Sequence, residues 1–246
     1  MSHITPDTMV RDIVVAWPQT RWVLEHHGVD YCCNGQMPLK AATDRAGANY
    51  DRVVADLQQT LASPVGAEVP RDWTRAGLAE LADHILDTHH AFMHRQLPRI
   101  RAMVKKVMAA HPNHMGMLAS LQRVFEALRE EIEVHLMKEE QVLFPYIKEL
   151  DRMVAGQTPF SPMHCGSVAN PIGQMEHEHD SAGAALAEMR RLTSNYVLPP
   201  DACPTFAELY QSLQELEADL HEHIHLENNI LFPGAVAAEK TVGRDS

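Results

Sequence analysis

Two stretches of the chain repeat one pattern of side chains able to bind metal. His135 and Glu139 are four residues apart and are followed by Leu143, Phe144 and Pro145. His223 and Glu227 are also four apart and are followed by Leu231, Phe232 and Pro233. On a helix, residues four apart share a face, with Cβ atoms about 5–6 Å apart. Each pair therefore aims an imidazole and a carboxylate the same way. Facing the interior of a helical bundle, the two pairs would bring two carboxylates toward its axis, where bare negative charge is costly to desolvate. A bound cation removes that cost. Imidazole and carboxylate donors without thiolate suit iron or manganese better than a closed structural zinc site, and iron is the expected metal.

The elements that must carry these groups can be read from periodicity and breakers. Helix A is expected from Thr74, placed to cap it, to about His111–Asn113, with Leu78, Leu81, Ile85, His89 or His90 and Phe92 along it and a kink at Pro98. Helix B is expected over about 114–150 and helix C over 173 to about 195, separated by a Pro- and Gly-bearing crossover. Helix D is expected over about 205–232, its prolines after Leu-Phe ending both B and D. The histidine before each repeat sits at nearly equal distance, His90 being 45 residues before His135 and His179 being 44 before His223. That register predicts a duplicated helical hairpin and an all-α, up-down antiparallel four-helix bundle. If both glutamates bridge two ions, each ion receives two imidazoles and two carboxylate oxygens, so protein groups fill about four of six octahedral positions. A shared oxo or hydroxo group and an exchangeable small ligand would fill the rest.

Before the bundle, residues 1–62 read as a small domain of short helices broken by Pro18, Gly28 and the stretch around the adjacent Cys32 and Cys33, with a linker over 63–74 and the bundle over 75–240. Hydrophobic residues make up 45% of the chain and aromatics 6%, which favours helices packed with Leu, Ala, Val and Met. The net charge of −12 repels nucleic acid and anionic membrane surfaces, so neither is an expected partner. No apolar run approaches the ~20 residues that span a bilayer. Four cysteines and a first segment without signal-peptide character fit a reducing, cytoplasmic setting.

From His90 to Pro233 the chain resembles a hemerythrin-type bundle, and with the preceding DYCCNG segment it resembles the repair of iron centres family, the YtfE and ScdA proteins. The resemblance implies six metal ligands: His90 in DTHHAFMHRQLP, His135 and Glu139 in HLMKEEQVLFP, His179 in MEHEHD, and His223 and Glu227 in HIHLENNILFP. It implies two iron ions per chain, oxo- or hydroxo-bridged, and a role in restoring iron-sulfur clusters damaged by oxidative or nitrosative stress by donating iron. Apo or damaged iron-sulfur proteins would be partners and nitric oxide or oxygen small ligands; a homodimer is left open. Oxygen-carrying hemerythrins have a second helix C histidine four residues after the first, where this chain has Gly183. One imidazole fewer should leave the irons more open and more readily released.

Other histidines compete on spacing alone. His94 is four residues after His90 and could add a ligand; His89 and His177 lie close to chosen positions, while His221 and His225 should point away from His223. Glu131 and Glu178 could orient an imidazole or could sit on a solvated face. Cys32 and Cys33 are candidate redox or iron-transfer thiols, burial as small apolar residues being the plainer reading. Cys165 and Cys203 receive no role, and no residue is assigned as catalytic. Two other functions stay open: an enzyme reducing nitric oxide or peroxide at the open positions, and a sensor of oxygen or nitric oxide.

Overall fold

The computed structural model describes residues 4–62 and 71–243, so the expected linker lies mostly outside the described residues. Among those described, regular structure is helical, apart from one isolated antiparallel bridge between Met9 and Pro38. The chain forms two compact units: Met1–Gly77 with Ile224–Gly234, and Leu78–His223 with Ala235–Ser246.

In the first unit, α1 (Val10–Ala16), α2 (Arg21–His26), α3 (Leu39–Ala46) and α4 (Tyr50–Ala62) are short because breakers fall between them. Pro18 opens a 3-10 turn, Pro18–Thr20. Gly28, at φ 68°, ends α2 with the left-handed backbone that glycine adopts at little steric cost. Ile13, Val14, Leu24, Leu39 and Leu57 are fully buried and make the core of this unit.

The second unit holds most of four long helices. Helix A consists of α5 (Leu78–Ile85), a π-turn (Leu86–His90) and α6 (Ala91–Ala110). Helix B consists of α7 (Met115–Lys138), a π-turn (Glu139–Leu143) and α8 (Phe144–Val154). Helix C is α9 (Ala169–Leu192), and helix D is α10 (Pro204–Leu226), a π-turn (Glu227–Leu231) and α11 (Phe232–Val242). Thr74 does not cap helix A: Asp72 accepts from the Thr74 backbone N–H at 3.0 Å, closing the separate 3-10 turn Trp73–Arg75. The helix starts only at Leu78.

Ion pairs along the seams give the directions. Arg101 meets Glu126 while Asp83 meets Lys148, so A and B are antiparallel. Arg99 meets Glu208 while His89 meets Asp219, so A and D are antiparallel. Arg190 meets Glu217 and the His179 and His223 rings lie 6.4 Å apart, which makes C antiparallel to D. The up-down order expected from the duplication follows.

One expectation fails. The prolines were read as helix-ending, yet helix D, expected to stop near 232, runs on to Val242, and helix B passes through Pro145 to Val154, close to its expected end near 150. Each proline sits at the start of the segment after a π-turn, Phe144–Pro145 and Phe232–Pro233. A proline lacks the N–H that would bond the carbonyl four residues back, and a wide turn just upstream shifts the ladder so that this loss does not stop the helix. Pro98 likewise lies inside α6 without ending it. The phenylalanines are packing residues, as expected: Phe144 is fully buried and Phe232 is 1% exposed.

Phe144→Ala is expected to lower stability by about 3–5 kcal/mol, measured by urea unfolding of the metal-free chain. A loss well under 1 kcal/mol would mean the ring is not a core element.

Candidate metal centre

Three π-turns lie where the donor side chains are. The turn in helix A ends at His90, and those in B and D begin at Glu139 and Glu227. A π-turn inserts extra backbone into a helix and is common at functional sites, because it re-aims side chains that a regular helix would rotate away. Helix C positions His179 without one.

Within the second unit, imidazole nitrogens surround one carboxylate. Glu139 Oε2 lies 3.3 Å from His135 Nε2, 3.4 Å from His90 Nε2 and 3.9 Å from His223 Nε2. His179 Nε2 lies 3.1 Å from His135 Nε2. The four histidines are at most 6% exposed, and Glu139 is fully buried. Glu227, also fully buried, follows His223 by one turn on the same unbroken helix. Two donor groups result, His90, Glu139, His223 and Glu227, and His135, Glu139, His179 and Glu227, in each of which the ligand atoms lie within 4.8 Å of one another. Each could hold a metal ion, and the glutamates are common to both. Two carboxylates at zero exposure among four imidazoles fit a pair of cations well, since positive charge offsets the desolvation of both.

The outer nitrogens of two imidazoles are tied down. His90 Nδ1 bonds Glu140 Oε1 at 3.0 Å, and His135 Nδ1 bonds Glu178 Oε2 at 2.9 Å. A neutral imidazole that donates from Nδ1 carries its lone pair on Nε2, which here faces Glu139. Burial works against the charge of Glu178, but hydrogen bonds from Lys138, Gln174 and His135 outweigh it and bring its pKa to about 2. Burial likewise opposes the charge of Glu140, and bonds from His94 and His90 prevail, lowering its pKa. Both carboxylates are therefore anionic acceptors at neutral pH.

The competing residues sort themselves by geometry. His94 has a side chain 54% exposed and bonds Glu140 at 2.9 Å, outside both donor groups. His177 is exposed. His89 is buried, bonds Asp219 through Nδ1 at 3.0 Å and stacks on His223 with ring centroids 5.7 Å apart. His225 packs edge-on to Tyr31 at 5.6 Å. Glu178 orients His135 from across the helix B–C seam rather than its chain neighbour His179. Glu131 stands at a small cleft that Met93, His135, Glu178, His179 and His223 also line. Glu140 is the residue that the sequence reading missed. Its signal was an acid directly beside a chosen ligand, Glu140 after Glu139, of the same kind as Glu178 before His179.

The sulfurs of Cys32 and Cys33 lie 3.8 Å apart and are not joined in a disulfide. The Asp30 carboxylate accepts from the backbone N–H of Cys32 at 3.0 Å and of Cys33 at 2.9 Å, holding both in one turn. The hydrogen bond with Cys33, then burial and the nearby Asp30, push the Cys32 thiol well up. Asp30, Cys32 and Cys33 form a third group whose ligand atoms are close enough for a metal ion.

Residues 81–235 match the hemerythrin HHE cation binding domain, and residues 6–61 match the ScdA_N domain, described as a domain of unknown function. The iron-sulfur cluster repair protein YtfE of Escherichia coli O81 is 36% identical over 234 residues, 95% of this chain and 98% of that protein. The proteins of the same name from Escherichia fergusonii and Salmonella choleraesuis are 36% and 34% identical over the same coverage. The chain belongs to the YtfE/ScdA family. Its larger domain matches a cation-binding kind, and its buried His and Glu side chains converge inside that domain. Among the described residues of this YtfE-type chain, no helix is long and apolar enough to cross a membrane.

Glu178→Gln keeps the shape of the Glu178 side chain and removes its charge. It is expected to weaken metal retention about 10–100-fold in competition with a chelator, whereas His94→Ala should change it less than about three-fold. Equal retention in Glu178→Gln and the unaltered chain would rule out an orienting role for this carboxylate.

Proposed function

We propose that this chain holds two iron ions on His90, His135, Glu139, His179, His223 and Glu227, and gives up that iron to rebuild damaged iron-sulfur clusters. The observation that carries this reading is the sharing of Glu139 and Glu227 between two groups that each hold only two imidazoles. With iron bound, the centre would supply ferrous or ferric ions joined by a bridging oxo or hydroxo group, with positions left for a small ligand such as nitric oxide or oxygen. The chain's own part is to orient the imidazoles through Glu140 and Glu178 and to keep the carboxylates dry. At position 183 helix C offers a glycine and no further nitrogen donor. A site short of neutral donors suits release better than lasting retention.

The names of the relatives support the same reading, since each is called an iron-sulfur cluster repair protein. Apo or damaged iron-sulfur proteins are then the partners, stress from oxidants or nitric oxide the occasion, and the cytoplasm the place. We assign residues 75–240 to the iron-holding bundle and residues 1–62 to a thiol-bearing domain in which Cys32 and Cys33 receive or pass iron.

The purified chain should contain about two irons, with an oxo-bridge charge-transfer band. Mixed with an apo iron-sulfur enzyme, it should restore the cluster while losing iron in matching amount. Sustained consumption of nitric oxide with no iron lost would instead make the chain a reductase. Glu139→Gln should hold less than about one iron per chain, and in metal-free form it should be more stable than the unaltered chain by about 1–3 kcal/mol, because a buried charge has gone. A metal-free Glu139→Gln chain of lower stability would count against cation neutralisation of this carboxylate.

A further inference from the structure

The duplicated register makes Glu140 and Gln141 of helix B equivalent to Asn228 and Asn229 of helix D. In the first copy the residue after the shared glutamate supports an imidazole, Glu140 bonding His90. In the second copy that position is a neutral amide aimed elsewhere. Asn228 Nδ2 donates to the Cys32 carbonyl at 3.1 Å, and Asn229 Nδ2 donates to the Tyr31 carbonyl at 3.0 Å. Asn229 Nδ2 is also 2.9 Å from His225 Nδ1, so both amide hydrogens have acceptors. The cysteine loop is shaped to come this close: a Cβ on Gly35 would lie 2.8 Å from Asn229 Oδ1, 2.9 Å from Arg11 Cβ and 3.0 Å from the Tyr31 carbonyl. Held this way, Cys32 is 5% exposed.

Glu227, Asn228 and Asn229 are consecutive in one π-turn, Glu227–Leu231. Whatever moves Glu227 moves both amides. We infer that Asn228 and Asn229 clamp the cysteine loop to the helix turn that carries Glu227, so that the exposure of Cys32 follows whether Glu227 is holding an ion. The inference rests on the metal reading given above. With an ion present, Glu139 and Glu227 share its charge and the turn stays in place. Without one, two buried carboxylates are left facing a common point, and the turn must shift to separate them. The loop then loses two donors at once, and Cys32 reaches solvent. Asn228 and Asn229 act here as positioning residues: they set the state of a thiol and touch no iron. In a protein that gives up iron, this arrangement bares a thiolate-forming pair when the donor site empties.

The test is the rate of Cys32 alkylation by iodoacetamide at fixed pH, followed by mass spectrometry of the Cys32 peptide in the full-length chain. Iron-loaded and chelator-stripped samples are compared, with iron measured in each. The stripped chain should react about five-fold or more faster than the loaded one. Asn228→Ala combined with Asn229→Ala, and separately Gly35→Ala, should react at the fast rate in both samples while still retaining iron when loaded. Equal rates in loaded and stripped unaltered chain, or a difference that survives in both variants, would overturn the clamp while leaving the metal reading intact. A chain that takes up no iron would overturn both, and the metal measurement alone would reveal it.

Discussion

Two carboxylates, Glu139 and Glu227, sit at zero exposure, and much of the packing around Glu139 in the second unit can be understood as the arrangement that makes this tolerable. Burying one anion without compensation would cost more than a typical domain has to spare. Four imidazoles brought to the same place supply lone pairs rather than positive charge, so they build a cradle for cations without neutralising the acids themselves. The surrounding apolar residues, Phe144 and Leu136 among them, keep the dielectric low and so strengthen whatever charge is placed there.

Around that centre the helices depart from regularity in a patterned way. Each π-turn coincides with a donor, and each of the two equivalent prolines follows such a turn. The turns aim Glu139 and Glu227 inward, and Glu140 and Glu178 fix the outer edges of His90 and His135. The flat face of His89 stacks on His223, a ring contact of a different kind from the two carboxylate bonds.

The bundle and the convergence of these six side chains were legible because a duplicated H-x3-E motif combines helical spacing with a register that chance does not readily repeat. His90 over His89 was not decidable from spacing, since adjacent helical residues both lie near the same face; the π-turn Leu86–His90 makes the choice, and nothing in LDTHH announces one. The passage of helices B and D through their prolines was misread for the same reason, since backbone widening leaves no mark in composition. Glu140 went unseen because its partner His90 is 50 residues away in the chain, whereas Glu178 was noticed beside the wrong histidine. Contacts across a seam depend on the relative rotation of two helices, which periodicity on either helix cannot supply.

The distribution of donors between the two hairpins has a consequence for the chain as a polymer. Neither donor group belongs to one hairpin: the first takes His90 and Glu139 from the A–B hairpin and His223 and Glu227 from helix D, while the second takes His135 and Glu139 from B, His179 from C and Glu227 from D. An ion held by either group is therefore a cross-link between halves that the covalent chain joins only through the irregular stretch from 155 to 168. Such a link closes a loop of many residues and removes much of the freedom the separated hairpins would otherwise have. With an ion in each group, loss of both would cut two such links at once and relax the fold that held them.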